Sequence, residues 1–148
     1  MGLSMTFSQE RFDKMRSLIS EQRVLVHKLC GSSVYLSEES EIYYINLLDY
    51  IENNHERSLY TLPLLRKAIK TENLNDILKV VQFFSSDLSE LFEIKYCYEQ
   101  ENMEYIEIHA DEYRSYIQEK IEPVTIDGAE IEDFNPKYLS FYCLINLD

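Results

Sequence analysis

The stretch Leu59–His109 reads LYTLPLLRKAIKTENLNDILKVVQFFSSDLSELFEIKYCYEQENMEYIEIH. Two apolar periods follow one another in it. Pro63 suits a first helical position, where its missing N–H costs nothing. Leu64, Leu65, Ala68 and Ile69 then mark a short helix ending near Lys70. Thr71 and Asn73 are alternative N-caps for a second helix. Its apolar stripe is Leu74, Ile77, Leu78, Val81, Phe84 and Leu88, at helical spacing, with the exit at Asp87 or Ser89. Period 2 takes over from Phe92. Phe92, Ile94, Tyr96 and Tyr98 alternate with Glu93, Lys95, Cys97 and Glu99, and Ile106 and Ile108 alternate with Tyr105, Glu107 and His109. A loop at Glu101-Asn102-Met103 pairs Tyr96 with Ile108 and Tyr98 with Ile106. That register puts the apolar residues on one face.

Upstream, Ser37 followed by Glu38 and Glu39 starts a helix whose acids match the positive end of its dipole. It runs to about Asn54, with Tyr44, Leu47, Leu48 and Ile51 inward and Tyr43 and Tyr50 on a flank. The order helix, short helix, helix, hairpin resembles a winged helix-turn-helix domain over Ser40–Gln118, through the order and spacing of its elements. The resemblance implies a further helix after the hairpin. Ala110–Ile121 reads as one, with Tyr113, Tyr116, Ile117 and Ile121 inward. The expected fold is α+β: a winged-helix-like helical core with a β-hairpin, a long N-terminal helix and a C-terminal extension.

That N-terminal helix is read from Phe7 to Cys30, with a capping box at Thr6 and Gln9 and a stop at Gly31. Its stripe of Phe12, Met15, Ile19, Val26 and Leu29 is interrupted by Gln22. A buried polar residue can set register against a partner helix. Residues 1–36 are therefore expected to meet a dimer mate or partner, residues 37–121 to form the winged-helix-like domain, and residues 122–148 to pack on it. Phe12, Met15, Ile19, Gln22, Val26, Tyr43 and Tyr50 are the candidate partner contacts. In the last segment Asp127-Gly128 predicts a hairpin pairing Val124 with Ile131 and Ile126 with Ala129. Asn135-Pro136 signals a helix start, while the apolar run Tyr138–Leu147 has the composition of a buried strand. Helix is the expectation.

The chain has 148 residues, 45% hydrophobic, enough for a domain with its own core. Twelve tyrosines and no tryptophan suggest interfaces as well as core. Asp and Glu number 27 against 14 Lys and Arg, a formal charge of −13. Such a field repels phosphates and favours a partner with a basic or apolar surface. Cys30, Cys97 and Cys143 are odd in number and far apart, which suits a reducing cytoplasm. No signal peptide and no membrane span are read from the sequence.

Catalytic signals are missing. The three glycines, at 2, 31 and 128, form no phosphate loop, and no Gly-x-Ser-x-Gly elbow occurs. His27 and Cys30 share a helix turn but have no second pair at metal spacing. No enzyme activity, cofactor or metal is expected. DNA contact would rest on Arg66, Lys67, Lys70 and Lys79, opposed by Glu99, Glu101 and Glu104 around the hairpin loop. The leading expectation is a non-enzymatic acidic adaptor, or accessory subunit of a larger bacterial complex, acting by protein contact, with a homodimer as one form of it. The alternatives are a DNA-binding winged-helix regulator and an acidic inhibitor such as an immunity or DNA-mimic protein.

Overall fold

The fold is described from a computed structural model. It covers residues 2–30, 37, 39–99 and 105–147, with the side chains of 2–8 left aside. Helix α1 spans Gly2–Leu29, α2 Glu41–Asn53, α3 Leu62–Ile69, α4 Leu74–Phe84 and α5 Ala110–Glu119. Strands are β1 Leu59–Thr61, β2 Phe92–Tyr98, β3 Ile106–Ile108 and β4 Leu139–Ile145, ordered β1-β4-β2-β3 in one sheet. The α+β class expected from the two apolar periods is the class observed. Two compact units divide within β2 and β4: residues 1–93 with 144–148, and residues 94–143.

In the first unit α2 forms for the reason its sequence gives. Tyr44, Leu47, Leu48 and Ile51 are all buried, one stripe of helical period. Each such side chain contributes about 1.5–3 kcal/mol on burial. The helix begins at Glu41, later than the Ser37 start expected, because Ser37 and Ser40 bind each other. The Ser40 amide donates to Ser37 Oγ at 3.2 Å and the Ser40 hydroxyl to the Ser37 carbonyl at 3.1 Å. Helix α1 likewise begins before the predicted capping box. Gln9 donates forward to Asp13 at 3.1 Å, so it is not turned back onto an N-cap.

Helix α4 is capped by Asn73, whose side chain accepts from the Asp76 amide at 3.2 Å. Its core face is wider and shorter than the stripe predicted. Val80 and Phe83 join Ile77, Val81 and Phe84 in the interior, while Leu74 and Leu88 are exposed. The helix stops at Phe84, where Ser86 Oγ donates to the Phe83 carbonyl at 2.6 Å. Leu88 therefore lies in a loop and off the predicted stripe. Tyr44 meets Phe83 and Phe84 edge-on at 5.6 and 5.7 Å, and Phe92 meets Phe84 and Tyr60 at 6.3 and 5.8 Å. These rings form the centre of the first unit.

The second unit is built on the β2–β3 pair, whose register is Tyr96↔Ile108, Cys97↔Glu107 and Tyr98↔Ile106. This is the register the apolar alternation predicts. The predicted loop at 101–103 lies outside the described residues. Tyr96 packs on Tyr113 of α5 at 4.5 Å and on Phe141 of β4 at 6.2 Å. The C-terminal run is a strand, against the helix expected. Asn135 does cap a turn, accepting from the Lys137 amide at 3.1 Å, but that turn is a single 3-10 turn, Pro136–Tyr138. Beyond it Phe141 and Cys143 are buried at alternate positions, and the Tyr138 carbonyl accepts from the Glu99 amide at 3.0 Å. Pairing with β2 and the burial of Phe141 and Cys143 outweighed the start signal. The Asp127-Gly128 hairpin is reduced to one bridge, Val124↔Glu130, so the predicted pairs Val124–Ile131 and Ile126–Ala129 are not formed. Gly128, at φ 86, occupies the turn.

Candidate partner surface

The α1 stripe faces the chain's own interior. Met15, Ile19 and Val26 are fully buried and Gln22 is 4% exposed. These four are core residues of the first unit and are not offered to a partner, which corrects the expectation placed on them. Gln22 does set a register, but an internal one. Its amide donates to the Ser89 carbonyl at 3.0 Å, and the Ser89 hydroxyl donates back to its oxygen at 2.6 Å. The remaining candidates are half-buried. Phe12 lies edge-on to His55 at 4.9 Å with Arg16 over its ring, Tyr50 lies edge-on to Tyr60 at 6.2 Å, and Tyr43 stands on the flank of α2.

Beside Phe12, the Arg11 guanidinium donates to the carbonyls of His55 and Glu56 and to Ser58 Oγ, the last at 2.7 Å. It fixes the 53–59 segment, along which an open groove of about 700 Å³ runs. Tyr60 behind it is buried and its hydroxyl has no hydrogen-bond partner among the described residues. Burial without a partner raises its pKa.

The candidate DNA contacts lie on α3, at its end and on α4, with acidic neighbours. Arg66 and Lys67 lie in the last turn of α3, where cations are favoured by the helix dipole, and Arg66 pairs with Glu72 at 3.9 Å. Lys70 is the left-handed residue that ends α3, its amide donating to the Arg66 carbonyl at 2.9 Å. Lys79 is exposed on α4, whose first turn carries Asp76.

No group of three or more His, Cys, Asp or Glu among the described residues could hold a metal. The Cys30 thiol donates to the Glu41 carboxylate at 3.2 Å, and His27 is exposed. Cys97 and Cys143 are buried in the sheet. Burial pushes the Cys97 thiol up to about 12, which keeps it protonated at ordinary pH. Among the described residues, no helix is long and apolar enough to cross a membrane.

Sequence reasoning missed the apolar residues that α5 leaves in solvent. Ile117 is 40% and Ile121 53% exposed, although both were expected inward. The inward face is carried by Tyr113 and half-buried Tyr116. Lys120 then takes a left-handed conformation and ends the helix, turning Ile121 off the predicted stripe. No sequence signal marks Lys120 for that role, since glycine is the usual residue there. Charge is also unevenly divided. Residues 94–143 hold 12 acidic and four basic residues, net −8, and the remaining 98 residues hold 15 and ten, net −5. No protein-family model, curated protein or solved structure matches this chain.

Proposed function

We propose that this chain is a non-enzymatic acidic adaptor that works by protein contact, with a winged-helix-like arrangement as its framework. The order α2, β1, α3, α4, β2, β3 supports that framework. The observation that carries the adaptor reading is the concentration of negative charge in residues 94–143. A unit of net −8 attracts basic protein surfaces and repels nucleic acid. The sequence pointed to a contact through α1 and the tyrosines. The contact now proposed lies elsewhere, because Met15, Ile19, Gln22 and Val26 of α1 are core residues.

Cross-linking in native cells, read by mass spectrometry on the full chain, tests this. The expected result is a protein partner linked to residues 94–143 through lysines of its own, with the complex dissociating as salt is raised. A stable complex with duplex DNA at physiological salt, lost in a folded Lys70→Glu/Lys79→Glu variant, would overturn the proposal in favour of a DNA-binding regulator.

A further inference from the structure

We propose that Tyr105 and Tyr142 form an oxidative cross-linking site, at which a one-electron oxidant of the peroxide–peroxidase class joins the two rings in a dityrosine that staples the sheet. The Tyr105 hydroxyl donates to the Tyr142 hydroxyl at 3.1 Å, and the ring centroids are 5.9 Å apart. Strand alternation explains the meeting. Phe141 and Cys143 of β4 are buried, and Tyr142 between them is turned to the other face. Tyr105 stands just before Ile106 of β3, so alternation turns it away from the face that carries Tyr96 and Ile108. The two rings come from either side of β2 and meet across it. Tyr105 is 41% exposed and Tyr142 half-buried, so a small oxidant reaches the pair from solvent.

The chemistry needs only the chain and the oxidant. Each phenol gives up one electron and one proton, and the two phenoxyl radicals couple through ring carbons next to their hydroxyls. The hydrogens on those carbons shift to the oxygens, which restores both phenols. The chain loses two hydrogen atoms in all, and they reduce one peroxide to two waters. Each coupling carbon is two bonds from a hydroxyl oxygen, so oxygens at 3.1 Å leave a small ring rotation to bring the carbons together. Holding the rings there replaces a diffusive encounter by an intramolecular step. Partial burial and the hydrogen bond to Tyr142 raise the pKa of Tyr105, so its phenol stays protonated and keeps that bond at ordinary pH. Other tyrosine neighbours are shielded. Tyr96 and Tyr113 stand at 4.5 Å but are both buried, and Tyr60 and Tyr98 are buried beside Tyr50 and Tyr138. A formal charge of −13 keeps separate chains apart, which favours coupling within one chain.

The test treats the dilute full chain with a haem peroxidase and hydrogen peroxide, then reads dityrosine fluorescence, intact mass and linked peptides. The expected product is a single chain lighter by two hydrogens, with Tyr105 joined to Tyr142. Tyr105→Phe and Tyr142→Phe should each lower the yield about tenfold or more, because each removes a phenol from the preset pair. Neither residue is fully buried, so both variants should retain the native circular dichroism spectrum. The link joins residues 37 apart in sequence and restrains the unfolded chain. The linked protein should therefore unfold at higher urea than a Tyr105→Phe chain treated in the same way. Links among other tyrosines as the main product, cross-linked dimers in place of the single chain, or a yield unchanged in either variant would overturn the site. The absence of any dityrosine would overturn it too, and an unchanged urea midpoint would overturn its role as a staple.

Discussion

Removing the Gln22 amide should cost the protein a large share of its stability. Two reciprocal hydrogen bonds join Gln22 to Ser89, and the Leu91 amide also donates to Ser89 Oγ at 3.3 Å. Both side chains are buried, at 4% and 9% exposure, so water cannot replace a lost partner freely. Gln22→Ala strands the Ser89 carbonyl and opens a small cavity. An unsatisfied buried group costs about 1–3 kcal/mol, and the cavity raises the expected total to about 2–4 kcal/mol. Gln22→Leu keeps the volume and should cost about 1–3 kcal/mol. Ser89→Ala should cost about 1–2 kcal/mol, since it leaves the Gln22 oxygen unpaired. In Gln22→Leu/Ser89→Ala that oxygen is gone as well, so the double variant should cost about 1 kcal/mol less than the sum of the singles. Urea unfolding followed by far-ultraviolet circular dichroism measures all four proteins, with the slope against urea expected to stay constant. Additive single effects, or a Gln22→Ala cost below about 0.5 kcal/mol, would refute the latch.

Lys70 and Lys120 have φ of 67° and 59° at helix ends. Lys70→Gly and Lys120→Gly should each stabilise by about 0.5–1 kcal/mol, measured by thermal unfolding. Ile108 is 2% exposed opposite Tyr96, so Ile108→Asp should yield an insoluble or molten chain, checked by near-ultraviolet circular dichroism. Alkali should unfold the protein. Burial raises Cys97 from an ordinary 9.0, and Tyr44 and Tyr113 from 10.0, each to about 12. The unfolded chain therefore releases these protons first. Stability is full below pH 9 and is lost as pH rises from 9 towards 12, which a series of urea midpoints against pH should show. In the folded protein at pH 8, Cys97 and Cys143 should resist iodoacetamide, and unfolding should expose both, as counted by mass spectrometry.

What was legible in the sequence was legible through periodicity with a single meaning. Tyr44, Leu47, Leu48 and Ile51 repeat at helical spacing, and all four are buried. The β2–β3 register followed from alternation, because a slip by one residue would have turned every isoleucine and tyrosine outward. Where two signals competed, local chemistry was a poor guide. Asn135-Pro136 opens a turn exactly as such a pair should, yet the following run becomes a strand paired with β2. The strand β1 carried no signal of its own. It is three residues long, and its place beside β4 is marked by the Ile145 amide donating to the Ser58 carbonyl at 3.0 Å, a contact between distant parts of the chain. Helix ends at Phe84 and Lys120 were misplaced for a related reason. A stripe of apolar residues shows which face can be buried, but it does not show where the backbone stops following the helix.

The same limit explains why Met15, Ile19, Gln22 and Val26 were read as contact residues and are core instead. An apolar stripe and a tyrosine content are claims on burial, and the core takes first claim on both. Tyr96, Tyr113 and Phe141 pack together, and Tyr98 stacks on Phe134 at 5.4 Å, so most of this aromatic area never reaches solvent. Charge works the other way. Ionised carboxylates stay at the surface because burying them unpaired costs far more than any contact returns. A count of acids along the sequence is therefore a count of surface groups, and a local excess of them survives folding as a local field. With a screening length of about 8 Å at physiological salt, only charges within a helix turn or two of a contact act on it directly.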